Sequence, residues 1–418
     1  MIAVLTTHPI QYQVPVWKLL AKRARVPFKV YFLCDQGLRP RHDPDFGRPV
    51  AWDIDLTSGY DHEFLDAIVG KRQSSFWWLR LKADLARRLK ATGAQVLWVQ
   101  GWQIAAYWQA VWQARNTGLR TWLRGETNLR SSRGGWRRHL RELALKQFFS
   151  KIDEFLYIGS ANRQFYVAHH IESARLHSAP YCVENARFAS QAERGRTERA
   201  AIRVRWKIPP DAACVLFAGK LIPKKRPLEL VLAAEALKSG SAHRSMHLLF
   251  AGTGELLPEV RHRCRVAYDF EGAAVDNLGG DDSRVTASFA GFLNQSEIAD
   301  AYAAADCLAL PSEATETWGL VVNEAMASGL PAVVSAGAGC SEDLVRPLRP
   351  DLCFPVGDIA SFAQSLEACL DRPPSPDELR TWIDRYDVSH TVQAVERLYE
   401  ATREQSRCAF QHDALASN

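Results

Sequence analysis

The feature that most constrains this chain is a rhythm that runs through it twice. Short apolar runs with strand character alternate with longer stretches of helical spacing, the pattern of parallel sheets joined by crossover helices. In the first half the spacing predicts strands over Ile2–Thr6, Phe28–Leu33, Val96–Gln100, Thr121–Leu123 and Phe155–Ile158. It predicts helices over Val16–Ala24, Trp77–Ala91, Ile104–Arg115 and Trp136–Ser150. In the second half, strands over Val215–Ala218, His247–Ala251, Cys307–Leu310 and Ala332–Ser335 each run into a Gly, Pro or Ser turn. Helices are expected near Pro227–Leu237, Gln295–Ala304 and Trp318–Ser328. With 418 residues there is chain enough for two such units. The expected fold class is therefore α/β, two doubly wound domains facing a cleft, with ligands at the carboxyl ends of the strands.

Composition shifts place the boundary. Ala189–Arg205 is rich in Arg, Glu and Ala and poor in apolar residues. The expected division is a first domain over 1–190, a linker over 191–205, a second domain over 206–385, and a C-terminal helix over 386–418. That helix returns to the first domain and frays after Arg407. The Gly/Asp-rich stretch 267–287 is expected as a surface loop between two strands. No apolar run approaches the roughly 18 residues of a membrane span. The start, Met1-Ile2-Ala3-Val4-Leu5, reads as a buried strand rather than a signal peptide. Nine cysteines, at 34, 182, 214, 264, 307, 340, 353, 369 and 408, are odd in number and never spaced C-x-x-C. They are expected as reduced thiols in a cytoplasmic protein, with no metal site.

Charge divides the halves. Residues 1–190 carry 28 Lys and Arg against 15 Asp and Glu, while the whole chain is only +5. Basic residues cluster with aromatics over Lys71–Arg80 and again over Arg130–Arg141. Such segments fit solvated helix faces with snorkelling arginines, or a surface that meets anionic lipid headgroups or a phosphorylated acceptor. Nucleic acid is not an expected partner, because no recognition motif accompanies the charge.

The stretch Leu310–Pro331, LPSEATETWGLVVNEAMASGLP, carries the chemistry. A buried strand ends at Pro311, a helix of roughly 11 residues follows, and Gly329 with Pro331 stops it. Glu316 sits at the helix entrance and Glu324 eight residues on. At about 100° per residue they lie roughly 80° apart, so they would grip different parts of one elongated ligand. The amides of Gly319, Leu320 and Val321 would face an anion, aided by the helix dipole. Taken singly, Glu316 fits a dipole partner and Glu324 a solvated helix glutamate. Upstream, Phe217–Pro227 (FAGKLIPKKRP) is a strand, a glycine turn and two lysines five apart, and Phe250–Glu255 (FAGTGE) is a second strand-to-glycine turn.

Together these segments resemble the C-terminal domain of the retaining family 4 glycosyltransferases, over about residues 205–370. The family pattern is a Gly-Arg-x4-Lys turn, a Gly-x-Gly turn and Glu-x7-Glu. Here it is met by Gly219-Lys220 with Lys225, Gly252 with Gly254, and Glu316 with Glu324, with Lys220 standing where the family usually has arginine. The first half is similar, more loosely, to bacterial members that act in surface-polysaccharide assembly, through Thr7–Gln13, Arg124–Asn128, Ile158–Asn162 and Pro180–Asn185.

The resemblance implies the GT-B architecture, two Rossmann-like domains around a central cleft, and a retaining glycosyltransferase with a nucleotide-diphosphate sugar as donor. It implies that Lys220, Lys225 and Glu316 are catalytic. Gly219, Gly252, Gly254, Phe292, Leu293, Gly319, Leu320, Val321 and Glu324 would bind the donor. His8, Gln11, Tyr12, Arg124 and Glu126 would stand on the acceptor side. No cofactor and no metal are implied, and the acceptor would be a glycan or lipid-linked glycan at the inner face of the cell membrane. An epimerase or phosphorylase on the same fold, and a nucleotide-sugar-binding protein without turnover, are the alternatives. Asp53-Ile54-Asp55 matches a two-residue metal signature but reads as an alternating edge strand over Trp52–Leu56. His169-His170 reads as a helix end.

Overall fold

The structure is a computed structural model and describes residues 1–43, 46–131, 136–239, 245–272 and 284–416. Two seven-stranded sheets form its two lobes. The first runs, in spatial order, Leu176–Ser178, Glu154–Tyr157, Arg120–Arg124, Val96–Val99, Ile2–Thr6, Phe28–Phe32 and His62–Phe64, all parallel. The second runs Arg265–Asp269, Thr286–Gly291, Met246–Ala251, Ala213–Ala218, Cys307–Leu310, Ala332–Ser335 and Cys353–Phe354, again all parallel. The central strands are buried on both faces, which is why they read as continuous apolar runs. The fold class is thus as expected, a pair of doubly wound α/β units.

Two expected elements differ. The helix anticipated over Trp77–Ala91 is a short strand, Leu79–Leu81, followed by a helix over Leu85–Ala91 that Asp84 caps by accepting from Arg87 N. Leu79–Leu81 pairs antiparallel with Ala67–Val69, and that partner is invisible to a helical count. Trp52–Leu56 is not an edge strand but irregular chain between the lobes. Asp53 accepts there from Ser296 N (3.2 Å) of the second lobe, and Asp55 accepts from Thr57 N and Ser58 N. Among the described residues no cluster of three His, Cys, Asp or Glu could hold a metal ion.

The stretch 191–205 is the latter part of one 21-residue helix, Asn185–Arg205. Arg203 is 5% exposed and donates to Ala304 O and Pro209 O, and Arg199 reaches Asp306 at 2.7 Å. Arginine that reads as solvent-facing in the sequence is here bonded to the end of a neighbouring helix. The chain then crosses back: helix Val388–Ala416 lays Val392, Val395 and Tyr399 against the core of the first sheet, and Glu396 pairs with Arg23. It continues well past Arg407. Within 267–287, strands end at Asp269 and begin at Thr286, and 273–283 lie outside the described residues. No helix among the described residues is long and apolar enough to cross a membrane.

Candidate functional site

The site forms where the carboxyl ends of both sheets face each other. Strand Ala213–Ala218 ends in Gly219 (φ +144°) and strand Met246–Ala251 in Gly252 (φ +150°), a region that disfavours L side chains. The two turns interlock. A Cβ on Gly252 would lie 1.9 Å from Gly219 O, and one on Gly254 would lie 2.5 Å from Leu221 O. The third turn, after Cys307–Leu310, passes through Gly319 (φ +111°) into helix Leu320–Ala327. That helix is shorter than the expected Trp318–Ser328 because Trp318 and Gly319 remain in the loop, so Glu316 stands before the helix and the helical angle expected between it and Glu324 does not apply. Val322 N donates back to Gly319 O (3.0 Å), while the Leu320 and Val321 amides, at the helix start, have no partner within the helix.

Glu316 and Lys225 meet in this crevice as an ion pair, both largely shielded. Lys220 turns instead toward the first lobe, with Nζ 3.1 and 3.2 Å from the Asp43 carboxylate oxygens and 4.8 Å from the Phe46 ring centroid. Glu324 is 2% exposed, and its Oε2 accepts from Tyr302 (2.5 Å). Its Oε1 makes no hydrogen bond of ordinary geometry among the described residues, although Tyr12 and Gln295 stand close enough to help hold its pKa down. Burial raises its pKa, and the Tyr302 hydrogen bond and the Arg187 charge only partly oppose this.

That carboxylate lies at the wall of a small cavity, about 90 Å³, shared with Tyr12, Trp52, Gly219, Phe292 and Val321. Phe46 and Trp52 from the first lobe flank Phe292, with centroids 4.9 and 6.1 Å away, and the Arg48 guanidinium stands 5.5 Å from the Phe292 ring. Phe46 and Trp52 also line a larger cavity of about 350 Å³ on the other side, together with His8, Gln11, Arg41 and Trp78. Burial pushes the His8 imidazole down to about 4, and its Nδ1 lies 2.8 Å from Thr7 Oγ1.

Two residues read as acceptor-side are placed differently. Tyr12 stands beside Glu324 at the small cavity, and burial and the Glu324 charge raise its pKa well above the ordinary value. Arg124 is 7% exposed; it donates to Pro180 O (3.1 Å) and Ala179 O (3.3 Å) and stacks over Tyr181 (5.1 Å). It braces the strand end rather than lining the cleft. Glu126 does face the cleft, accepting from Tyr181 Oη (2.6 Å). The residue as a whole is exposed, yet protein crowds its carboxylate closely enough that desolvation raises its pKa, and Glu316 adds to the rise. Both follow from a narrow cleft. His169 ends helix Ser160–Ala168, as expected.

The geometry is that of a two-lobed crevice with paired cationic and acidic groups at the mouth of a helix. Residues 198–387 match the family described as Glycosyl transferases group 1. That block contains both lysines, both glycine turns and both glutamates. The chain is 33% identical over 183 residues to a D-inositol 3-phosphate glycosyltransferase of a Nocardioides species, covering 44% of this chain and 39% of that protein. It is 31% identical over 223 residues to a GDP-mannose-dependent alpha-mannosyltransferase of Mycobacterium tuberculosis, covering 53% and 47%. The chain thus spans less than half the length of these curated relatives. In fold it is similar along nearly all its length to Anabaena Alr3699/HepE, solved in complex with UDP and glucose. The TM-score there is 0.64 at 14% identity, covering 96% of this chain and 99% of that one.

Sequence reasoning missed Asp43, Phe46, Trp52, Tyr302 and Gln295. Gln295 is 5% exposed and accepts from Arg187 (2.8 Å) beside the small cavity. No local signal marks these residues; Asp43, Phe46 and Trp52 reach the site because the first lobe's hairpin Arg41–Asp43/Arg48–Val50 and the chain after it cross the cleft, while Tyr302 and Gln295 come from helix Ile298–Ala304 and the turn before it.

Proposed function

We propose that this protein transfers a sugar, with retention at the anomeric carbon, from a nucleotide-diphosphate sugar to a hydroxyl of a glycan or lipid-linked glycan. The observation that carries the reading is the Glu324 carboxylate, buried at the wall of the small cavity with an Oε1 that makes no hydrogen bond of ordinary geometry among the described residues. A buried carboxylate oxygen without a well-placed donor is costly, and a ribose diol supplies O–H donors of the right kind. The aromatic side chains Phe292 and Trp52 offer a nucleobase a stacking surface. The diphosphate would then lie at the mouth of helix Leu320–Ala327, taking Lys220 from Asp43 and sharing Lys225 with Glu316.

As the glycosidic bond breaks, negative charge grows on the leaving diphosphate. The two ammonium groups and the helix amides meet that charge, and one such donor contributes roughly 3 kcal/mol in the transition state. Glu316 accepts from sugar hydroxyls. In the retaining scheme the departing phosphate takes the acceptor proton on the face it leaves. The proposal needs no metal ion, since ammonium groups supply the positive charge. Residues 1–190 would serve the acceptor, through His8, Gln11 and Glu126, and 206–385 the donor. The eight described cysteines are all free thiols, which supports a reducing compartment.

The test is a thermal-shift screen with UDP, GDP, ADP and their sugars, followed by assay of nucleotide release with glycan acceptors. A ligand at a hundred times its dissociation constant adds about 2.7 kcal/mol, a readily measured rise. A protein indifferent to every nucleotide would overturn the reading.

A further inference from the structure

The hairpin Ala67–Val69/Leu79–Leu81 plays no part in the chemistry above, yet its connecting loop displays large apolar side chains. Trp77 is 62% exposed and Val69 57%, with Ile68 and Phe76 each more than a third exposed. Single exposed apolar residues are ordinary, but one short hairpin here exposes four, with Ile68 and Val69, consecutive in a strand, on its opposite faces. Between its two strands the hairpin exposes Lys71 and Arg72; Arg80 is half-buried, and Lys82 pairs with Asp66 (2.6 Å). The loop is held in place rather than loose. Gly70 N donates to Trp78 O (2.6 Å), Ala105 N donates to Phe76 O (2.8 Å), and the Phe76 ring packs edge-on against Trp108 (5.8 Å).

Trp108 packs in turn on Phe148 (4.7 Å), on the buried side of helix Trp136–Phe149. The outward side of that helix exposes Leu140 at 57% and Leu143 at 65%, near Arg141 and Lys146. Two adjoining elements therefore present aromatic and leucine side chains among cations. A second copy of this chain would bring the same positive charge against itself, which disfavours self-association through this face. An anionic lipid surface complements both parts. Tryptophan settles at the headgroup level, apolar side chains enter the acyl boundary, and Lys and Arg meet the lipid charge.

We infer that this hairpin, with the outward side of helix Trp136–Phe149, docks the first lobe on an anionic lipid bilayer. Val69, Lys71 and Trp78 also line the larger cavity, so docking opens that cavity at the lipid surface. A lipid-linked acceptor could then enter headgroup first while its tail stays in the bilayer. That consequence rests on the sugar-transfer reading; the docking does not.

The test is cosedimentation of the full chain with vesicles of phosphatidylcholine, with and without phosphatidylglycerol. Binding to the anionic vesicles only, weakening as salt rises, is expected. Arg72→Glu with Trp77→Glu should lower partitioning by about tenfold or more, and Leu140→Glu with Leu143→Glu should lower it as well. Unchanged melting temperature and nucleotide-induced shift would show that fold and donor site survive. Lys71→Glu with Arg72→Glu gives the same reading should the tryptophan variant fail to fold. Absent binding, binding indifferent to salt, or wild-type binding by the variants would overturn the inference. So would a concentration-dependent dimer that the same substitutions abolish. A failed nucleotide screen would remove the sugar-transfer reading and leave the docking standing.

Discussion

Replacing Glu324 by glutamine isolates the contact on which the functional reading rests. The residue is 2% exposed, one carboxylate oxygen accepts from Tyr302, and the other makes no hydrogen bond of ordinary geometry among the described residues. Glutamine keeps the shape and can still accept from Tyr302 through its carbonyl. It removes the charge and puts an N–H₂ donor where a ribose hydroxyl would donate. Hydrogen bonds to a charged acceptor contribute about 1.5–3 kcal/mol, so the nucleotide that binds wild type should bind the variant roughly tenfold to 150-fold more weakly. Stability should change little, because a desolvated charge disappears with the hydrogen bond retained. Calorimetric titration with the ribonucleotide and its 2′-deoxy counterpart reads the contact directly. Wild type should prefer the ribonucleotide, and the variant should lose most of that preference. Equal weakening toward both nucleotides, or none, would refute the ribose contact. Burial raises this carboxyl's pKa, so protonation on acidification begins earlier than for an ordinary glutamate. Wild-type affinity should fall over that interval, and the variant's should not.

Other perturbations probe the crevice and the fold. Lys225→Ala should cut turnover about a hundredfold, from the roughly 3 kcal/mol of one transition-state donor, and Glu316→Ala should also cut turnover; near wild-type transfer rates in either would remove these roles. Gly252→Ala places a Cβ 1.9 Å from Gly219 O, a backbone atom that cannot yield without moving the neighbouring turn. Its urea midpoint should drop by a few kcal/mol equivalent and nucleotide shifts should vanish, whereas an unchanged midpoint would disprove the interlock. Burial pushes His8 and His247 down to about 4 from the ordinary 6.5. The unfolded chain binds these protons first, so stability is full above pH 6.5 and falls toward pH 4. Between pH 7 and 5 the loss is about 2 kcal/mol for the fully buried His247, and less for His8. Urea titrations of wild type and His247→Gln at both pH values should show a smaller loss in the variant.

The repeated strand-and-helix rhythm was legible because the inner strands are buried on both faces, and burial on both faces leaves a continuous apolar run. Leu308 and Val333 could hardly lie elsewhere. The donor-side motifs were legible for a related reason: Gly219, Gly252 and Gly319 are demanded by local backbone, and Glu316 and Glu324 are fixed relative to each other by one short turn and helix. Edge strands such as His62–Phe64 and Leu176–Ser178 escaped notice, being three residues long and half polar, with pairing on one side only.

What the sequence could not decide is everything that depends on how the lobes meet. The spacing of Lys220 and Lys225 put two cations at one strand end, but only the folded chain pairs one with Glu316 and turns the other to Asp43. Arg124 and Glu126 stand two residues apart on one strand end, and neighbours from elsewhere send one into the backbone and leave the other facing the cleft. Trp52 and Phe46 carry no motif at all. Local geometry is written within a few residues, whereas a cleft is made by side chains hundreds of positions apart, and their approach is set by packing that no window of sequence contains.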